Sequence, residues 1–517
     1  MSSESIQITR AAGVTGSFTL LSRILGLVRD LVTAYLFGAT PAADAFFVAF
    51  RLPNLVRRLS AEGAMSAAFV PIYTEVLVNQ GPEPARRTAG AATSLLALIL
   101  VAVSAAGIIF APALVTVIAP GFGDDPAKFE LTVLLTRIVF PFILFVSLAT
   151  LLMGVLNSLG HFALPAAAPI GLNLCIIGFA LTLAPHLATP VLALAMGAVI
   201  GGVVQLLMQL PPLIRRGAMP ALVWAPGLAE VKRMGRRMVP VIFGSAAYQI
   251  NLLINTLLAS LLASGSVSYL YYADRLVQFP LGVFGVALAT AILPTLSRQA
   301  ARGQKAEFAA STGHGLRLSL FIVLPSAIGL ALLAQPIVSL IYQHGRFDAE
   351  TTRLTVQALW AYSLGLPLVA LATVAVRVFN ALHDTRTPAI MGAISVAANI
   401  VLSLILMGPL AHAGLALAAS LGAAINLGLL LWRLYIKAPH LREARLFAGL
   451  GRTVAASAGL AALLAGLYLH PASPLAHWPS WLQVASGLIL GAGVYFGLAR
   501  LFNCPELGAL KEAFLRR

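Results

Sequence analysis

Charge is what this sequence has least of. Only 10% of its 517 residues are charged, while 59% are hydrophobic. Soluble chains are about a quarter charged. A water-soluble fold of this length could not hide so much apolar surface, so that class is excluded. Acidic residues are scarcest: 18 Asp and Glu stand against 34 Lys and Arg, for a net charge of +16. Cysteine is nearly absent too. Cys175 and Cys504 are far apart, form no metal or redox motif, and read as small apolar residues. There is no HExxH, no cluster of His with carboxylates, and no nucleotide-binding glycine loop. The GFG at 121–123 has no strand before it, and His383–Asp384 reads as a turn. These absences argue against an enzyme, a resident metal or cofactor, and an ATP-driven pump.

What the chain does have is long apolar runs, with a mean hydropathy of +0.91. LLALILVAVSAAGIIFAPAL (95–114) and LRLSLFIVLPSAIGLALLA (316–334) are two of them. About 20 such residues in a helix cross a bilayer core. Alternating segments of a transmembrane β-barrel are missing. The expectation is an all-α polytopic membrane protein with fourteen transmembrane helices. Their approximate bounds are 14–37, 43–76, 89–119, 129–158, 164–184, 190–213, 237–263, 267–297, 308–334, 352–381, 387–408, 412–435, 449–469 and 480–502. The first stretch carries Arg23 and Arg29 and so differs from a signal-peptide core.

With these spans the connecting loops alternate in charge. One set holds 22 of the 34 basic residues, including Arg215, Arg216, Lys232, Arg233, Arg236 and Arg237; the other holds Lys128, Arg346 and Arg353. The positive-inside rule then places both termini in the cytoplasm. The basic excess is accounted for by loops facing anionic membrane lipids, so no nucleic-acid partner is expected.

A repeat runs through the chain. VLNSLGHFALP (155–165) matches VFNALHDTRTP (378–388), and LTVLLTR from Leu131 matches LTVQALW from Leu354, both 223 residues on. Pro71 and Pro294 share that offset, and FFVAFRL (46–52) lies against LYYADRL (270–276) at 224, aligning Arg51 with Arg275. Two six-helix lobes related as parallel repeats are expected, with a site between them near the midplane. The expected division is an N-lobe at 1–215, a basic cytoplasmic linker at 216–236, a C-lobe at 237–437, and two further helices with a cytoplasmic tail at 438–517.

Nine basic residues remain outside the two sets of loops. Arg137, Arg317 and Arg377 lie near span ends, where a long side chain can reach the interface. Arg23, Arg29, Arg51, Arg57, Arg58 and Arg275 are harder to place, because a central charge costs about 2.5–3.5 kcal/mol on insertion scales. Some internal pairing is open to them. Arg58 and Glu62 are four apart, Asp44 and Arg51 seven apart, Pro53 should free a carbonyl, and Asp274 adjoins Arg275. Yet six arginines face only four carboxylates, Asp30, Asp44, Glu62 and Asp274. Such a surplus suits an anionic ligand, and guanidinium forks fit phosphate oxygens, a pyrophosphate among them.

At SRILGLVRD (22–30), ADAFFVAFRLPNLVRRLSAEGAMSAAFVP (43–71) and YYADRL (271–276), the chain resembles the MurJ (MviN) lipid II flippase family. That family belongs to the multidrug/oligosaccharidyl-lipid/polysaccharide exporter superfamily. The resemblance implies a transporter of the bacterial cytoplasmic (inner) membrane that serves peptidoglycan synthesis and cell shape. It implies two lobes around a cationic cavity, a groove on the last two helices for a polyprenyl tail, and alternating access. Lipid II would be the substrate and the cell-wall synthesis machinery a partner. Arg23, Arg29, Arg57 with Arg58, and Arg275 match the family's cavity arginines; Arg51 stands where some members have Lys. Asp44, Glu62 and Asp274 match its acidic positions. Some members hold sodium with carboxylates on spans seven and eleven, where this chain has Asn251, Asn255, Asn399 and Ser403. Sodium coupling is therefore not expected, and membrane potential or protons stay open. Rival functions are a flippase for another polyprenyl-pyrophosphate-linked saccharide, a drug exporter, an anion channel and a membrane transferase.

Overall fold

A computed structural model describes residues 3–58, 65–439, 441, 449–470 and 473–508. Among them the chain is helical, with no strand. The helices are α1 (Ser3–Phe37), α2 (Pro41–Arg57), α3 (Ser66–Gln80), α4 (Pro82–Ile109), α5 (Ala111–Ile118), α6 (Pro126–Val139), α7 (Phe142–Ser158), α8 (Ala163–Thr182), α9 (Leu192–Leu207) and α10 (Leu210–Arg215). After them come α11 (Ala229–Ser260), α12 (Ser266–Pro280), α13 (Val286–Ala301), α14 (Lys305–Leu332), α15 (Ala334–Tyr342), α16 (Ala349–Ala381), α17 (Arg386–Lys437), α18 (Leu450–Leu464) and α19 (Ser480–Leu501). By length and composition alone, ten helices among the described residues are apolar enough to cross a membrane. Among the described residues each expected span is mostly helical, with breaks such as those at 110, 140–141, 208–209 and 333.

Local chemistry sets the helix ends. Thr40 accepts from the Ala43 amide ahead of Pro41, and Asp125 accepts from the Lys128 amide ahead of Pro126. Asp348 does the same for Thr351 at the start of α16. Oxygen-bearing N-caps followed by proline satisfy amides that a helix leaves open. The long α17 is two helices folded on one another. After Pro409, Ala411 takes φ 46°, and Ser395 Oγ donates to the Gly422 carbonyl at 2.7 Å. Gly414 permits this turn, since a Cβ there would fall 2.2 Å from the Leu406 carbonyl oxygen.

The repeat is visible as a shared turn. At the end of α7 the His161 amide donates to Leu156 O, and at the end of α16 the Asp384 amide donates to Phe379 O, both at 2.9 Å. The residue before each is left-handed: Gly160 at φ 72° and His383 at φ 57°. Both turns close a helix by the same backbone pattern. His383–Asp384 is thus a turn, as expected.

The chain divides into two compact units, Met1–Val267 and Ser268–Arg517. In the first, Phe69, Ile72, Tyr73, Leu151, Val155 and Leu156 form a core between α3, α4 and α7. There α8 and α9 meet closely: a Cβ on Gly201 would fall 2.7 Å from Leu172 Cδ1. The expected first helix of the C-lobe, α11, packs against α3, α4 and α5 in this unit. In the second unit, Ser420 Oγ donates to Ala361 O at 2.6 Å, directly against Gly365. Phe321, Leu460 and Tyr495 join α14 to α18 and α19. Small residues at such contacts let backbones approach, which is how helices associate where lipid removes the hydrophobic drive.

Candidate functional site

The first unit carries five of the six expected arginines. Arg29, on α1, directs Nε and Nη2 to Asp30 Oδ1 at 3.1 and 2.7 Å. Its Nη1 donates to Asn173 Oδ1 on α8 at 3.3 Å, and Asn173 Nδ2 donates in turn to Ser22 O at 3.2 Å. Buried Asp30 and Asn173 thus aim one guanidinium and tie α1 to α8. Arg23 lies exposed on α1. On α2, Arg57 donates Nε and Nη2 to Asn54 Oδ1 at 3.0 and 2.7 Å. Arg51 and Arg58 are half-buried, and Pro53 sits within the helix without ending it. Glu62 lies outside the described residues.

Asp44 sits in a contact that the sequence did not suggest. It is buried, with Oδ2 2.9 Å from Lys128 Nζ and 2.7 Å from the Gly265 amide. Lys128 Nζ also donates to Ser264 Oγ at 3.1 Å and stands 3.9 Å over the Phe122 ring. Three places are joined: the start of α2, the start of α6, and the turn after α11. Lys128 offered a faint signal. It is one of only three basic residues in its set of loops.

The second unit carries Arg275 on α12. Its Nη2 donates to Tyr271 Oη at 3.0 Å, and the guanidinium lies 4.9 Å from that ring, so one side chain four residues earlier orients it twice. Asp274 accepts from Gln278 Nε2. Arg317, expected to reach the interface, pairs with buried Glu506, just beyond the last expected span, at 3.1 Å. Asn399 and Ser403 lie buried one turn apart in α17 and offer only neutral oxygens.

The sequence matches the family profile described as lipid II flippase MurJ across residues 33–478. It is 39% identical over 530 residues to the lipid II flippase MurJ of Burkholderia cenocepacia, covering 99% of both chains. The chain belongs to the MurJ family. It is also 36% identical to the probable lipid II flippase MurJ of Vibrio cholerae, covering 98% of each. Among solved structures, a lipid II flippase MurJ in an inward closed conformation superposes with a TM-score of 0.78 at 26% identity, over 94% of this chain and 98% of that one. An inward-facing MATE transporter of the MOP superfamily shares the fold, with a TM-score of 0.71 at 14% identity over 84% of this chain and 99% of that one. The expected all-α membrane fold and family therefore hold. These relatives are named flippases and transporters, not enzymes.

Proposed function

We propose that this protein moves lipid II from the cytoplasmic to the periplasmic leaflet of the bacterial inner membrane by alternating access. Membership of the MurJ family carries the substrate class. The observation that carries the mechanism is the arginine set itself. Arg29, Arg57 and Arg275 are each oriented by polar side chains of their own unit, namely Asp30 with Asn173, Asn54, and Tyr271. Oriented forks match the oxygens of a pyrophosphate better than flexible ammonium groups would.

In this reading Arg23, Arg29, Arg51, Arg57, Arg58 and Arg275 form the anion site, with Asp44, Glu62 and Asp274 moderating it. Lys128 shares the Asp44 carboxylate, so less negative charge remains to offset the arginines. The bound anion screens repulsion among them and favours closure, because a ligand shifts an equilibrium by its differential affinity for the two states. The lobes are 1–215 and 237–437, joined by the basic linker 216–236. The polyprenyl tail lies along the last two spans of 438–517, and both termini are cytoplasmic. Anionic membrane lipids and the cell-wall synthesis machinery are the expected partners.

The test uses vesicles holding the purified protein and fluorescent lipid II, with external reduction of outward-facing label. Added protein should expose label from the inner leaflet, and an Arg275→Ala protein should not. Equal or faster movement of another polyprenyl-pyrophosphate-linked saccharide would replace lipid II with that rival.

A further inference from the structure

The segment between α10 and α11 reads RGAMPALVWAPGL (216–228), and its middle, 218–225, is neither helix nor strand. Its inner side is fastened to α4. The Ala221 amide donates to Arg86 O at 3.3 Å, and Arg86 Nε donates to Met219 O at 3.1 Å. Gly90 makes room for this: a Cβ there would fall 1.5 Å from the Ala221 carbonyl oxygen. Ala218, Ala225 and Leu228 join the core beneath. Just beyond, Arg233 grips Glu75 with two hydrogen bonds of 3.1 and 2.7 Å. The segment is a strap, held from below.

Its outer side is unusual. Leu222 is 81% and Trp224 60% exposed, while Ala221, Val223 and Ala225 between and beside them are half-buried. Arg215, Arg216, Lys232, Arg236 and Arg237 flank them, all exposed. Glu230 is the one carboxylate in 215–240. The depth is also fixed, because Gly90 lies where the apolar run of α4 begins. A tryptophan at that level, with exposed cations before and after it in the chain, suits the boundary between lipid headgroups and chains.

We propose that this strap is a membrane-surface anchor. Leu222 and Trp224 enter the headgroup layer of the leaflet that borders the basic loops. Arg215, Arg216, Lys232, Arg236 and Arg237 hold anionic phospholipid headgroups around them. An excess of positive charge around a small apolar tip is what an anionic leaflet complements. The anchor would give the connection between α10 and α11 a fixed point on the membrane while helices on either side move. It does not depend on which lipid the protein transports.

The experiment places the full chain and its Trp224→Phe variant in nanodiscs, which leave both faces open. The difference between their emission spectra isolates Trp224. Expected are blue-shifted emission, strong loss of intensity with lipids brominated near the top of the chain, and protection from iodide. The shift should be larger with phosphatidylglycerol present than with phosphatidylcholine alone. Replacing Lys232, Arg236 and Arg237 with Gln should remove that lipid dependence, each lost charge weakening the anionic preference about fivefold. Red, iodide-quenched emission untouched by bromine would place the strap in water and overturn the proposal. Blue emission untouched by bromine would mean that protein covers Trp224, which overturns it equally. Bromine quenching without any phosphatidylglycerol effect would remove the headgroup site.

Discussion

Lys128 Nζ lies 2.9 Å from Asp44 Oδ2, and both side chains are almost wholly buried, at 6% and 1% exposure. The two residues are 84 positions apart. Removing one partner of such a pair strands a buried charge, at a cost of about 3–5 kcal/mol. Lys128→Ala should therefore lower the unfolding midpoint of the detergent-purified protein markedly. Adding Asp44→Asn should recover much of the loss. Unchanged stability in the single variant would show that the pair is not structural.

Arg275 is expected to serve binding, and Tyr271, which orients its guanidinium, lies on the same helix. Arg275→Ala should abolish transport while leaving abundance and membrane insertion unchanged. Arg275→Lys keeps the charge but loses the planar fork, so transport should fall well below wild type. Full transport by the Lys variant would show that charge alone suffices.

Asp384 joins the turn after α16 to both ends of α17. It accepts from the Thr387 amide at 2.9 Å and hydroxyl at 2.7 Å, and from Lys437 Nζ at 2.5 Å. Burial works to raise its pKa, but the hydrogen bonds from Lys437 and Thr387 outweigh this and hold the carboxyl below the usual range. A depressed folded-state pKa gives stability that is present above the unfolded value and lost as pH falls below it. Asp384→Ala should cost about 1–2 kcal/mol at pH 7, and the same at pH 5. The gap should narrow only below about pH 4, near the unfolded carboxylate pKa. Denaturant midpoints at three pH values check this, and narrowing between pH 7 and 5 would contradict it.

Gly90 has no room for a side chain beneath the Ala221 carbonyl. Gly90→Ala should push the strap away, with a loss of about 1–3 kcal/mol from overpacking. Trypsin should then cut faster at Arg215 and Arg216. An unaltered cleavage rate would mean that the strap shifts without strain.

The fold was legible where one physical signal dominates. Apolar runs marked the helices, the gap between the spans 387–408 and 412–435 fell where α17 turns at Ala411, and the 223-residue repeat reappears as equivalent turns at Gly160 and His383. What sequence could not supply were pairings between distant, singly placed charges. Lys128 with Asp44 and Arg317 with Glu506 are joined only by packing, and nothing local to Lys128 or Glu506 names its partner. The same holds for the arginines. Their excess is countable along the chain, but that Asn173 aims Arg29 from 144 residues away follows only from the packing of α1 on α8. Gly90 gave no hint of its role, because the strap it accommodates is fixed by a tertiary contact.

The most direct test follows the sidedness of lipid II in cells depleted of this protein, using an external enzyme that cleaves only outward-facing lipid II. The expected result is that lipid II becomes protected from cleavage and accumulates inside, with wild-type protein restoring access and Arg275→Ala failing to do so. Unchanged cleavage after depletion, in cells with no other lipid II flippase, would contradict the substrate assignment and leave the arginine set to a different anionic lipid.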